Sequence, residues 1–263
     1  MKDPYAKFRA ILNKVDKGIE GHTLSLNYLN NEFKKGKKWD ITHFRYYCEM
    51  GQYKLLQNKI DEAKQWFHQG ISYYIRDIKI FKDIPDGVRT DLAHPYFGYL
   101  GGGLEMAIPC AQLPLAALEK RNVKDCTANC HKRDLLILSY LVNDLEKKHK
   151  IGEDIRNTSK GTDIKADGMP VSTGVTAFCN VYALATLDVI ESLLTKSTAQ
   201  FENGIDIWSR IKIPNIKKHS HPWEILDLEM TVLYDIALGI GMRPKIDTPF
   251  IPKAVIDNGY WNH

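Results

Sequence analysis

Apolar residues recur every three to four positions along nearly the whole chain, the spacing that gathers them on one side of an α-helix. Asp3-Pro4 reads as a cap followed by a first-turn proline, after which Tyr5, Phe8, Ile11, Leu12 and Val15 keep helical spacing. A short second helix is expected after Thr23, carrying Leu24, Leu26, Leu29 and Phe33. Asp40 caps a third, with Phe44, Tyr47, Cys48 and Gly51 toward one side. No Asn-Gly or Asp-Gly pair lies between alternating apolar runs as a hairpin of strands requires, since Asp86-Gly87 and Asp167-Gly168 fall in loops. The pattern predicts an all-α protein, a multi-helix bundle of antiparallel helical hairpins.

The stretch "YYCEMGQYKLLQNKIDEAKQWFHQGISYY" (46–74) resembles one tetratricopeptide-type hairpin. Tyr47, Met50 and Gly51 suit its first helix, Ala63, Phe67 and Gly70 suit its second, and "NKIDEA" is the turn. Lys54 stands where that pattern usually has an aromatic, and no second copy follows at a period near 34 residues. The stretch therefore predicts packing of one helix pair, with a peptide-binding scaffold as an alternative function.

Further along, Pro85, Gly87, Pro95, Gly98 and the triple glycine 101–103 predict an irregular segment over 83–103. Short helices are expected at Leu104–Ile108 and Leu113–Lys120, separated by prolines, and a long helix over 123–149 ending in the basic "EKKHK". The polar stretch 150–173 reads as a mobile surface loop. An apolar helix follows at 174–195, and Ser197 caps another carrying Phe201, Ile205, Trp208 and Ile211. "HSHPW" starts a last long helix with Pro222 in its first turn, ended by Gly239 and Gly241. The tail "KIDTPFIPKAVI" reads as an extended strap. One domain is expected over 1–263, with sub-bundles 1–149 and 174–263 joined by the loop.

Composition narrows the class. With 263 residues, 44% hydrophobic and 26% charged, the chain can bury a core without disulfides or metals and is neither disordered nor membrane-like. A net charge of +4 is too small and dispersed to imply nucleic acid, and the one dense cluster, "KKGKK" (34–38), suits a solvated helix end. Five scattered cysteines (Cys48, Cys110, Cys126, Cys130, Cys179) point to reduced thiols rather than a secreted disulfide framework. The N-terminus lacks a signal-peptide pattern, and the apolar stretch 99–118 is broken by Glu105, Pro109, Gln112 and Pro114. A cytoplasmic protein with no membrane contact is the expectation.

The usual catalytic signatures (HExxH, GxSxG, a GK[ST] phosphate loop) do not occur. In "DCTANCHKR" (125–133), Cys126 and Cys130 stand one helical turn apart, but no second ligand pair completes a zinc site. Lys124, Lys132 and Arg133 would favour a thiolate there if it is exposed. Packing of two small reduced residues near the start of a long helix is the preferred reading. His219 and His221 read as polar residues at a helix start, the glycines 101–103 as a hinge or close helix contact, and Glu105 and Asp188 as hydrogen-bonded positions. No enzyme, cofactor or metal is expected.

One further similarity lies in the C-terminal part. "TAFCNVYALATLDVIESLL", "FENGIDIWSRI", "ILDLEMTVLYDIALGIGM" and "IDTPFIP" with "KAVI" follow one another between residues 168 and 256. In that order they resemble the Immunity protein 49 family of bacterial polymorphic-toxin systems. The resemblance implies a non-enzymatic inhibitor that binds a cognate toxin or secreted effector and blocks its active site. Inhibitors of basic nucleases are commonly acidic, whereas this chain is basic overall. The acidic presentation expected for the partner is the loop bearing Glu153, Asp154, Asp163 and Asp167, which Arg156, Lys160 and Lys165 nearly cancel.

Overall fold

The computed structural model describes residues 10, 12–35, 41–81, 93–121, 123–214 and 225–261. Among them are ten helices and no strand: α1 (Val15–Lys34), α2 (Ile41–Leu56), α3 (Ile60–Phe81), α4 (Ala93–Glu119), α5 (Ala128–Leu141), α6 (Leu145–Thr158), α7 (Val175–Thr195), α8 (Thr198–Lys212), α9 (Leu228–Gly239) and α10 (Lys253–Asn258). The fold is all-α, a multi-helix bundle. The expectations for Asp3-Pro4, Asp40, residues 83–92, His219, His221 and Pro222, and for "KKGKK" beyond Lys35, fall outside the described residues.

The first three helices form around a small aromatic cluster. Instead of a short helix after Thr23, α1 runs unbroken from Val15 through Gly18 and Gly21, because Val15, Leu26 and their neighbours dock on Tyr47, Met50 and Tyr53 of α2. Both ring nitrogens of His22 face acceptors: Nδ1 lies 3.0 Å from the Gly18 carbonyl and Nε2 2.5 Å from Glu49 of α2. The α2–α3 pair is the antiparallel hairpin expected from 46–74. Gly51 lies under the Phe67 ring, where an added Cβ would come within 2.8 Å, and Gly70 abuts Tyr47 and Cys48. Lys54, the residue out of pattern, reaches Glu62 at 2.7 Å. Burial of a large ring such as Phe67 contributes about 1.5–3 kcal/mol.

Helix α4 departs from the expected irregular segment. Residues from 93 onward are helical, because Tyr96, Phe97, Tyr99 and Leu100 bury against α3. The helix folds back on itself at Gly102 (φ −169°, ψ 28°) and Gly103 (φ 66°, ψ −158°). The Gly103 conformation is one that essentially only glycine adopts. The corner brings Gly98 against the Met106 and Ala107 backbone and Gly101 against that of Phe67 and His68, so the glycine run is a close helix contact. Beyond the corner the helix continues through Pro109 and Pro114, rather than breaking at them. Its apolar face (Ala107, Cys110, Ala111, Leu115 and Leu118) is buried without interruption, which offsets the missing hydrogen bonds.

The single long helix expected over 123–149 is two. Asn143 takes φ 60°, and the Asp144 side chain accepts from the Lys147 backbone N–H at 3.0 Å, capping a new helix. "EKKHK" therefore lies in the first half of α6, where Lys147 pairs with Glu119 and Asp144, not at a carbonyl end. Helix α6 runs to Thr158, so only 159–174 connects to α7. That connection is tied down. Ile164 and Pro170 form an antiparallel bridge, Lys165 donates to the Met169 carbonyl at 2.8 Å, and Gly168 (φ 80°) donates to the Lys165 carbonyl at 2.9 Å. Asp167-Gly168 is thus the tip of a miniature hairpin.

The C-terminal half supplies the centre of the core. Ser197 flanks α8 without a side-chain cap, and Asp227 caps α9, which starts at Leu228 rather than near Pro222. Gly241 (φ 90°) ends the turn after α9 as expected. Helix α7 is long and apolar enough to cross a membrane, but 61% of its most apolar window is buried within the protein. One cluster joins Phe44 of α2 to Tyr260 through α3–α9. The tail after α9 is extended until Pro252 and then forms α10, so the strap is partly helical. It crosses both halves: Asn58 accepts from Ala254 N–H at 3.1 Å, Lys64 lies 5.3 Å above the Tyr260 ring, and the Tyr260 hydroxyl donates to the Leu100 carbonyl at 2.8 Å.

The strap is held by the fully buried Asp235 of α9. Its carboxylate accepts from the Tyr99 hydroxyl at 2.9 Å and from the backbone N–H groups of Tyr260 at 2.5 Å and Trp261 at 3.3 Å. An Asp235→Asn substitution removes the charge and replaces the oxygen facing Tyr99 with an amide N–H, which leaves the buried Tyr99 hydroxyl hydrogen without its acceptor. It is expected to cost about 2–4 kcal/mol in urea unfolding and to release the strap, read by faster hydrogen exchange at 253–261. Gly103→Ala tests the corner, because an added Cβ meets nothing within 4 Å there. Backbone conformation alone should lower stability by about 1–3 kcal/mol.

Candidate functional site

The largest concentration of buried charge surrounds Arg133 of α5, whose residue exposure is 4%. Its Nε donates to Thr186 of α7 at 3.1 Å, Nη1 to Asp134 at 2.8 Å and Nη2 to Glu229 of α9. The guanidinium carbon lies 4.1 Å from the centre of the Tyr182 ring and 4.6 Å from that of Trp208. Arg133 thus touches α7, α8 and α9 through donors and ring faces at once. Burial lowers its pKa, but Tyr182, Asp134, Tyr96 and Asp227 outweigh that and hold the guanidinium above its ordinary value. Asp134 is pushed up by burial against the pull of Arg133. Tyr96 and Tyr182 are raised by burial, so their phenols stay protonated at neutral pH.

A second ion pair extends the cluster toward solvent. Lys212 Nζ of α8 lies 2.7 Å from Asp227 Oδ2, while Asp227 Oδ1 accepts from the Met230 backbone N–H at 2.9 Å. Together with Tyr96, Tyr182 and Glu229 this pair borders an open groove of about 210 Å³. The groove is small and its charges are matched within the chain. A larger groove, about 520 Å³, lies elsewhere, between Leu55, Leu56, Leu226 and the strap residues Ile246, Pro249, Ile251 and Ile256. It is apolar and holds no comparable cluster of titratable groups. The charged groove has the polar groups that orient a small molecule; the apolar one has the room.

The four acidic positions expected to meet a partner are distributed over two elements. Glu153 and Asp154 project from the second half of α6, not from a loop. They are exposed, with Glu153 3.4 Å from His149 and Asp154 2.8 Å from Lys132. Asp163 and Asp167 are exposed on the hairpin. The Asp163 carbonyl accepts from Val171 N–H at 2.9 Å, and the Asp167 side chain accepts from Met169 N–H at 3.1 Å. Arg210 of α8 donates to the Asp167 carbonyl at 2.9 Å. The same hairpin and the helix after it expose three apolar side chains, Ile164 (45%), Val171 (55%) and Val175 (57%). Being uncharged, these three carry no signal in the charge pattern.

The remaining candidates resolve individually. Cys126 is exposed in the turn before α5, and Cys130 turns to Cys179 of α7 at 2.6 Å instead of sharing a face with Cys126. Lys132 turns to Asp154 and Arg133 is buried with its own carboxylates, so neither is committed to the thiols. Glu105 is exposed. Asp188 accepts from Gln200 at 3.2 Å, and burial raises its pKa. Among the described residues no cluster of three or more His, Cys, Asp or Glu is arranged to hold a metal ion. Arg133 carries a sequence expectation only as a cation beside the thiols, and Lys212, Asp227 and Glu229 carry none. The available signal was Asp227 and Glu229 within the apolar run "ILDLEMTVLYDIAL".

Because Arg133 bridges so many partners, removing it alone should be more damaging than removing the pair. Arg133→Met is expected to cost about 3–5 kcal/mol in denaturant unfolding, since Asp134 and Glu229 keep their charge without their cation. Adding Glu229→Met should return part of that loss, a coupling that a double-mutant cycle measures directly. No family model matches this chain, and no curated protein or solved structure matches it either.

Proposed function

We propose that this chain is an immunity protein that neutralises a cognate bacterial toxin or effector by direct protein–protein contact, without catalysis. Three things support the reading: the resemblance of residues 168–256 to the Immunity protein 49 family, the rigid helical bundle, and the surface of the 159–174 hairpin. The observation that carries it is the last. Ile164, Val171 and Val175 are solvent-exposed on a segment fixed by backbone hydrogen bonds, with Asp163 and Asp167 among them. Exposed apolar side chains rimmed by charge are a mark of protein-binding surfaces. The rigid backbone reduces the ordering cost of binding.

In this reading Ile164, Val171 and Val175 supply contact area, and Asp163 and Asp167 guide a basic toxin surface into place. Glu153 and Asp154 contribute less, because His149 and Lys132 already face them. A peptide-binding groove on the 46–74 hairpin has weaker support: the Phe67 side of α3 is covered by α2 and α4.

The test is rescue. The toxin encoded beside this reading frame is expressed in a bacterial host with and without the protein, and complex formation is measured by calorimetry. Protection and a stable complex are expected. Val171→Asp with Ile164→Asp should weaken binding by about 10–100-fold. Asp163→Lys with Asp167→Lys should slow association by about tenfold with a loss of its salt dependence. Failure to protect the host, or failure to form a stable complex, would sink the proposal.

A further inference from the structure

Two cysteines from different helices meet beside the base of the hairpin. Cys130 of α5 and Cys179 of α7 have their sulfurs 2.6 Å apart, although 49 positions separate them in sequence. That is about half an ångström beyond the length of a disulfide bond. The neighbouring residues hold the two helices in this register. The Asn129 side-chain amide donates to Asn180 Oδ1 at 2.6 Å, and the Asn180 amide donates in turn to the Thr162 hydroxyl at 2.8 Å. Asn129 also donates to Ser159 at 3.2 Å, and the Thr158 hydroxyl donates to Asn129 Oδ1 at 2.8 Å. Each cysteine is thus the sequence neighbour of a residue in a polar clasp, and the clasp holds the end of α6 and the start of the hairpin.

We propose that Cys130 and Cys179 are a cross-linking site, oxidised to a disulfide by a small-molecule disulfide and closing a covalent ring around α6 and the hairpin. Cys130 is only partly buried and so is the entry point, while Cys179 lies behind it. The Cys130 thiol, as its thiolate, attacks one sulfur of glutathione disulfide, forms a mixed disulfide and expels one glutathione thiolate. Cys179, losing its proton to solvent, then attacks the Cys130 sulfur and expels the second glutathione. Two protein thiols are oxidised, one glutathione disulfide is reduced, and the two protons end on the two glutathiones released. Burial, with Cys179 alongside, holds the Cys130 thiol above its ordinary pKa. The first step is therefore slow at neutral pH and speeds up in alkali, which makes the pair a durable brace rather than a rapid sensor. The ring links α5 to α7 directly and spans the α6–hairpin unit, so its expected effect is to hold that unit in place when the rest of the chain loosens.

The experiment uses the full chain carrying Cys126→Ser, which removes the exposed thiol as a source of intermolecular links. Four of the five cysteines then remain. Folded protein is incubated with glutathione disulfide at pH 8.5, and a second sample is refolded from denaturant in the same redox buffer. Both are then unfolded, their thiols counted and their peptides mapped without reduction. A fall from four thiols to two, with a linked 130–179 peptide pair, is expected. The melting temperature should rise by about 5–10 °C and return on adding dithiothreitol. Cys130→Ser with Cys179→Ser should fold and show no oxidant-dependent shift. Four thiols surviving both treatments, or a link to Cys48 or Cys110 instead, would overturn the proposal. So would a linked chain whose melting temperature does not move, because the brace would then constrain nothing.

Discussion

A guanidinium removed from water must be surrounded by groups that replace its hydration, and the arrangement of the C-terminal half follows from how Arg133 meets that demand. Its donors are answered from α5 itself (Asp134), α7 (Thr186) and α9 (Glu229), and it lies against the ring faces of Tyr182 of α7 and Trp208 of α8. Apolar contact between helices tolerates sliding and rotation. A planar fork with fixed acceptors tolerates neither, so the cluster sets the register of four helices. Trp208, wholly buried behind the cation, shows how the apolar core and the charge are built together.

A second buried charge does the equivalent work for chain connectivity. Asp235 stands on α9, six residues beyond Glu229, and gathers the backbone of the C-terminal strap together with Tyr99 of α4. Through the strap, α9 reaches the turn between α2 and α3 at Asn58 and the corner helix at Leu100. Short helix α9 therefore carries two carboxylates, Glu229 and Asp235, that tie the early and late parts of the chain to one centre. Helix propensity would not assemble these parts, since α9 is short and apolar on nearly every side.

Helical class, the 46–74 hairpin, both ends of α7, the start of α8 and the glycine end of α9 are legible because they rest on local signals: apolar period, and glycines at contacts and stops. The errors share a cause. Pro95 and the glycines predict irregular backbone over 93–101, yet tertiary burial of four large residues holds them helical and the glycines permit the close contacts. The break at Asn143 was obscured by apolar residues on either side, although Asp144 three residues before Lys147 was a cap signal in plain view. Polarity placed 150–158 in a loop, while α6 is an amphipathic surface helix that buries only Gly152 and Ile155. The acidic residues were legible as charge, but whether each faced a cation was not, because Lys132 and His149 reach them only in the folded chain. Cys130 differs for the same reason: helical spacing points to Cys126 as its neighbour, and helix packing supplies Cys179.

These features bear on how a surface hairpin of this length holds one shape. Sixteen residues without regular structure, 159–174, would ordinarily sample many conformations. Here the base is clasped through Asn129, Asn180, Ser159 and Thr162, the limbs by the bridge at Ile164 and Pro170, and the tip by Arg210 on the Asp167 carbonyl. At Gly168 the backbone runs so close to Ile207 that an added Cβ would lie 2.6 Å from that side chain, which seats the turn on α8. The constraints come from α5, α7 and α8, the helices that Arg133 registers. A mutation in the buried cluster is therefore expected to reach the exposed surface through the supports of the hairpin, without touching any residue on it. The helices that meet at Arg133 also support the hairpin, so an Arg133 variant should be judged on stability and on surface presentation.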